Sequence, residues 1–242
     1  MTEQIWEAPL ARIPMRATVT VPRLLTARPG TPADVEVYAP TIADAAVFLA
    51  AAAVTTGTVV VRNWEAVARD ASANTLREAL ATMGTYVVRS AEGLTCTSRS
   101  TSGHLSGIEV DLTAHPDLIA PLIVLCALAD DPSTLRGLGS HAAYTGRLLA
   151  ELQGLGGLVD WDGDVARIFP QPLHGGEWDG AGVPAAAALG AVLALVVPNM
   201  RVSGLALDTA TGRAFLAEWR SALEADEHIL PGATRGTVPY YV

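Results

Sequence analysis

Three segments of the chain are apolar on every helical face: Ala43–Val54, Leu118–Ala129 and Ala185–Val197. A helix with no polar side is buried all round, so three of them predict a helical interior rather than a helical coat. A second class carries one apolar stripe. In Ala73–Met83 the residues Leu76, Leu80 and Met83 share a face, with Arg77 and Glu78 outside it. Gly146–Leu155 repeats that spacing and stops at Gly156-Gly157, while Thr211–Glu224 sets Phe215, Leu216 and Trp219 at helical spacing. Val-rich or alternating stretches predict strands at Thr58–Arg62, Tyr86–Arg89, Gly107–Asp111, Ser133–Arg136, Val165–Phe169 and Met200–Leu207. Pro22–Ala33, Ser98–Ser106 and Gly175–Gly182 read as loops.

These elements recur in order. Pro40–Arg62 and Pro116–Arg136 each run from a proline through an apolar helix, a polar turn and a β-rich stretch to an arginine. Leu76, Leu80, Met83 and Gly84 return at one constant offset as Leu148, Leu152, Leu155 and Gly156. The period exceeds the roughly 20–50 residues of solenoid repeats, which predicts a closed, pseudo-symmetric domain. Each unit reads strand, buried helix, strand, amphipathic helix, strand, strand. The units fall at 34–106, 107–172 and 173–224, with 225–242 as a tail. The third unit lacks its closing strands, and the alternating stretch Met15–Val21, within residues 1–21, supplies a missing one. The expected fold class is α/β, a single inverse domain of three βαβαββ-like units with buried helices and outer sheets.

Composition narrows the function classes. Half of the 242 residues are hydrophobic and 17% are charged, enough apolar material for a sizeable core. The net charge is −9 and there is no Lys/Arg run, which argues against nucleic acid and anionic membrane as partners. Cys126 lies in an apolar run and Cys96 has no CxxC partner, so neither suggests a disulfide framework. The N-terminus has no basic start followed by an apolar stretch, and Ala185–Pro198 is too short to cross a bilayer of about 30 Å. A cytoplasmic protein is expected.

The stretches WEAPLARIPMRATVTVP, AAVFLAAAAVTTGTVVV, GIEVDLTAHPDLIAPLIVLCALAD, LRGLG, RLLAELQGLGG, PLHGGEW and LALVVPNMRV, in this order, resemble the 5-enolpyruvylshikimate-3-phosphate (EPSP) synthase family in its actinobacterial style. That resemblance implies a two-domain ancestor with three βαβαββ units per domain. It also implies a truncated homologue. After Val21-Pro22, where the family continues with a Gly-Ser-Lys-Ser hinge into its first domain, this chain reads RLLTARPGTPAD and enters what resembles the second.

The family's enolpyruvyl transfer needs fixed cations for phosphate and carboxylate, together with an acid/base pair. Here the hinge lysine is absent. The basic-Glu-Thr-Asp-Arg motif becomes Ala143-Tyr144-Thr145-Gly146-Arg147, keeping only the arginine. Asp-His-Arg-Met becomes Val183-Pro184-Ala185-Ala186, and the final motif's lysine falls near Ala210. Pro116-Asp117 survives, with Asp117 at the family's catalytic carboxylate position. Each lost charge-assisted partner costs about 1.5–3 kcal/mol, so the resemblance implies the fold without the ancestral reaction.

The expected catalytic pair is Asp117 with His115, a histidine suited to proton transfer near neutral pH. Arg147, Tyr144, His141 and Trp178 are the expected substrate contacts. Asp117 also fits a helix N-cap, Arg147 a solvated first turn, and His115 and His141 ordinary loop surface. His115, Asp117, His141 and His174 have no metal-ligand spacing, so neither metal nor cofactor is expected. The Gly-rich HGGEWDGAG lacks the phosphate-loop pattern. Two function classes follow. One is a repurposed cyclase, lyase or isomerase of specialised metabolism, acting on an apolar or neutral molecule. The other is a non-catalytic binding or partner subunit, with a homodimer as one form.

Overall fold

The computed structural model describes residues 34–37, 39, 41–55, 58–98 and 104–205. The expected strand at Met15–Val21, the loop Pro22–Ala33, the helix Thr211–Glu224 and the tail lie outside them. Within them two runs of elements repeat one plan. The first is β1 (Asp34–Val37), α1 (Ile42–Val54), β2 (Thr58–Val61), a short α2 (Trp64–Val67), α3 (Ser72–Thr82), β3 (Thr85–Ser90) and β4 (Gly93–Ser98). The second is β5 (Glu109–Asp111), α4 (Ile119–Ala127), β6 (Ser133–Arg136), α5 (Ala142–Gly154), β7 (Leu158–Trp161) and β8 (Ala166–Phe169). A third run opens with β9 (Glu177–Trp178), α6 (Pro184–Val196) and β10 (Arg201–Val202).

The two four-stranded sheets have the same internal order, β1-β2-β4-β3 and β5-β6-β8-β7. In each, the strands flanking the buried helix are parallel, Asp34 facing Thr58 and Glu109 facing Thr134. The closing hairpin then inserts its second strand antiparallel beside the middle one, Val59 facing Cys96 and Thr134 facing Arg167. β9 and β10 pair in parallel, as the first two strands of each sheet do. Sequence patterning misses β4, β7 and β9, which are partly polar, β7 and β9 also being short; their hairpin or parallel partners, rather than propensity, define them.

The helical interior is as expected. Every residue of α4 is buried, and so are all of α1 except Ala43 and all of α6 from Ala186 to Leu195. The three helices pack against one another. Alanine at half of the positions of α1 and α6 leaves little side chain between the backbones there. At Gly190 of α6 even a Cβ would come within 2.6 Å of Val202 and 2.8 Å of the Trp178 ring. The amphipathic α3 and α5 bury Leu76 and Leu80, and Leu148, Leu149 and Leu152, toward the same core. No helix among the described residues is long and apolar enough to cross a membrane.

Candidate functional site

The starts of the three buried helices converge. The start of α1 is closed by its own side chains: the Thr41 hydroxyl accepts from the Asp44 backbone N–H at 3.1 Å and donates to the Asp44 carboxylate at 2.6 Å. The other two starts are bare. A single 3-10 turn, Pro116–Leu118, leads into α4, and Val183-Pro184 leads into α6; no side chain caps either one. Proline at the first helical position suits these two helix starts, because the missing N–H is one that would have no intrahelical partner.

Between these starts lies a hollow of about 160 Å³. Its floor is Ala43, Ala120, Pro121, Ala185 and Ala186, and its rim is Pro116, Asp117, Val183 and, from α5, Tyr144. Asp117 is exposed and its carboxylate takes no hydrogen bond from a described residue. It therefore caps neither the turn nor α4. Tyr144 is half-buried, and its phenol is pushed up to about 12, first by burial and then by the negative charge of Glu151, with Arg147 opposing and Asp117 adding. The phenol stays protonated at neutral pH and can donate a hydrogen bond into the hollow.

The structure thus brings together Asp117 and Tyr144. Arg147 lies one turn beyond Tyr144 on α5, exposed, with no ion-pair partner among the described residues and no salt bridge to Asp117. By contrast Arg62, Arg89, Arg136, Arg167 and Arg201 are each paired with a surface carboxylate.

Three expected site residues are placed elsewhere. His115 points at α3: its Nε2 meets the Thr75 hydroxyl at 3.1 Å and its Nδ1 the Ser72 hydroxyl at 3.3 Å. A neutral imidazole has one donor and one acceptor, so both are engaged there and His115 does not line the hollow with Asp117. His141 sits exposed in the 3-10 turn before α5 and also contributes nothing to the lining. Trp178 is a core residue with 0% exposure, whose indole N–H donates to the Ala186 carbonyl at 2.9 Å. Its burial and this bond rule it out as a surface contact. No group of three or more His, Cys, Asp or Glu among the described residues is arranged to hold a metal ion.

Sequence patterning also overlooks Glu151, two turns beyond Tyr144 on α5. Its carboxylate accepts the backbone N–H groups of Asp179 at 3.0 Å, Gly180 at 3.0 Å and Ala181 at 2.7 Å. Burial and the neighbouring Asp179 carboxyl raise its pKa, while the bonds from Asp179 and Ala181 oppose that rise. A lone glutamate on an amphipathic helix looks like solvent-facing polarity. The available signal is in the other partner, the DGAG run, whose two glycines permit the positive φ angles on either side of Ala181.

The comparisons with known proteins converge on one family. The family model described as EPSP synthase (3-phosphoshikimate 1-carboxyvinyltransferase) matches residues 31–211. The chain is 34% identical over 185 residues to a 3-phosphoshikimate 1-carboxyvinyltransferase of Methanosphaerula palustris, covering 74% of this chain and 41% of that protein. It is 34% identical over 196 residues to the enzyme of the same name from Kocuria rhizophila, covering 79% of this chain and 43% of that protein. Two solved structures of EPSP synthase from Acinetobacter baumannii match with TM-scores of 0.58 and 0.61 at 20% and 19% identity. They cover 75% and 76% of this chain and 44% and 46% of their own, and at that identity they speak for the fold alone. The chain thus spans less than half the length of the relatives it matches. With a family model matching most of its residues and the repeated inverse α/β plan in its sheets, the chain belongs to the EPSP synthase family.

Proposed function

We propose that the chain is an EPSP synthase-fold enzyme working by proton transfer from or to Asp117 on a non-phosphorylated organic substrate, in a cyclisation, elimination or isomerisation of specialised metabolism. One observation carries this: among the described residues, the hollow at the starts of the buried helices is lined by a carboxylate, a phenol and small apolar residues, with no cation. A phosphorylated substrate needs fixed positive partners, and each one missing forfeits about 1.5–3 kcal/mol. All 16 basic residues are arginines, so no lysine is present to serve as a phosphate-binding point charge. In this reading Asp117 is base or acid, Tyr144 donates a hydrogen bond that orients the substrate, and Arg147 is the cation within one turn that can anchor a polar substituent.

Phosphoenolpyruvate titrated into the chain in a calorimeter is expected to give no micromolar binding. Binding in that range would overturn the proposal. For a substrate found by incubation with metabolite extracts, Asp117→Asn is expected to lower turnover by about 10²–10⁴-fold, the usual contribution of a positioned acid or base. Unchanged turnover would remove Asp117 from the chemistry.

A second reading has its own support. A hollow of about 160 Å³ is smaller than the roughly 300–1,000 Å³ typical of ligand pockets. That size suits a non-catalytic binding or partner subunit. No ligand retained from extracts, together with self-association in sedimentation, would favour it.

A further inference from the structure

The loop between β9 and α6 ends at Val183 on the rim of the hollow and leads directly into its α6 side, and the way it is held is unusual. Gly180, Ala181 and Gly182 have φ angles of 66°, 56° and 76°, three consecutive residues in the left-handed region, one of them not glycine. A non-glycine residue there costs on the order of 1 kcal/mol or more and persists only where its surroundings over-determine it. The loop backbone lies hard against the first turn of α6: a Cβ added at Gly180 would collide with the backbone nitrogen of Ala187. In this conformation the N–H groups of Asp179, Gly180 and Ala181 all point to one spot, and successive N–H groups arranged in this way form an anion-binding concavity. The occupant of that concavity is the Glu151 carboxylate, with Oε2 taking the first two N–H groups and Oε1 the third. The same turn is closed on itself by the Gly182 N–H donating to the Asp179 carboxylate at 3.2 Å. Immediately afterwards come Val183, Ala185 and Ala186, the α6 side of the hollow.

We propose that Glu151 is the positioning residue of this site: as a built-in anion seated in the Asp179–Ala181 nest, it clamps the strained loop and thereby sets the α6 wall against Asp117 and Tyr144. It touches no reacting atom in this role; it acts through the loop. The demand is for a carboxylate and not merely for a side chain of that shape. Both oxygens accept, so an amide in the same place must turn its NH₂ toward at least one backbone N–H and leave two donors facing each other. The clamp also links α5, which carries Tyr144 and Arg147, to α6. Two sides of the hollow are therefore held in register by a single charged group. This inference rests on the hollow being the functional site, but the clamp is measurable without any substrate.

The test is backbone amide exchange at residues 179–187 in the wild type, Glu151→Gln and Glu151→Ala, each with formate or chloride at equal ionic strength. Glu151→Gln is expected to speed exchange in that segment by about tenfold or more, reflecting lost charge-assisted bonds, with β2–β4 unchanged. In Glu151→Ala the nest is empty, so formate should restore protection where chloride does not. In Glu151→Gln, whose side chain still fills the space, formate should have no effect. Wild-type exchange in both variants would overturn the proposal, as would loss of protection in Glu151→Ala that formate leaves unchanged. If Glu151→Ala does not fold in chloride, refolding in formate supports the proposal and failure in both salts overturns it. Asp117→Asn turnover is blind to the clamp, and loop exchange is blind to turnover, so either idea can fail alone.

Discussion

Trp178 donates its indole N–H to the carbonyl of Ala186, eight residues later and one turn into α6, at 2.9 Å with both groups buried. The bond ties the two-residue strand β9 to the helix whose start forms one side of the hollow. It also explains why an indole is placed here: the ring fills the gap that Gly190 leaves on α6, and its only polar atom is satisfied. Trp178→Phe keeps most of the volume but loses the bond and leaves some space. The expected cost is about 1–3 kcal/mol in urea unfolding, and Trp178→Ala should reach about 3–5 kcal/mol. A loss below about 0.5 kcal/mol for Trp178→Phe would mean the contact is not maintained in solution.

Alkaline pH should destabilise the protein through its thiols. Burial pushes Cys96 and Cys126 each up to about 12 from 9.0, and burial first of all pushes Tyr144 up to about 12 from 10.0. A folded pKa above the unfolded one means the fold holds protons that the unfolded chain has released. The associated stability is complete below the unfolded values and falls as pH rises through the folded ones. Urea midpoints should therefore fall steadily as pH rises from about 9 toward 12. Both thiols should react with a disulfide reagent only at the rate of unfolding, since the thiolate is the reactive form. Fast labelling of folded protein at pH 8 would contradict their burial.

The start of α1 offers a smaller and cleaner test. Thr41 and Asp44 satisfy each other across the first turn, hydroxyl to N–H and hydroxyl to carboxylate. Thr41→Ala removes both bonds and should cost about 1 kcal/mol. Serine at the same position should recover most of that. Equal destabilisation by serine and alanine would assign the effect to packing of the threonine methyl rather than to capping.

Much of this fold is legible in sequence because its rule is simple: a helix that is apolar all round has to be inside. Ala43–Val54, Leu118–Ala129 and Ala185–Val197 announce themselves, and the observed α1, α4 and α6 match them to within two residues at each end. Strands β4 and β7 do not: LVDW has no alternating run, and in GLTCTS only Leu94 and Cys96 alternate with threonines, too short a pattern to stand out. Each is defined by pairing with a neighbour, β4 with β3 and β7 with β8, information that is not local. At the site, Asp117 and Tyr144 come together because both sit at helix starts, which the repeat places at one end of the bundle. His115 is only two residues from Asp117 in sequence, but the intervening proline turn sends it to Ser72 and Thr75 of another unit. Trp178 reads as a surface contact from sequence because it lies in a Gly-rich stretch. Those glycines instead admit tight packing, as the contacts at Gly176 and Gly180 demonstrate.

The alanine-rich interior has a consequence for how such a protein can diverge. Along α1 and α6 about half of the buried positions are alanine, and at those positions there is almost no volume to delete. An added methylene forces overpacking, typically about 1–3 kcal/mol. At these alanines selection can neither hollow out the helices nor fatten them, and the close-packed positions are held nearly constant from both directions. Freedom is confined to the first residues of each helix, where Ala43, Pro116, Asp117, Val183 and Ala185 face the hollow rather than a neighbouring backbone. New chemistry can be written there one residue at a time while the bundle of helices behind it stays as it is.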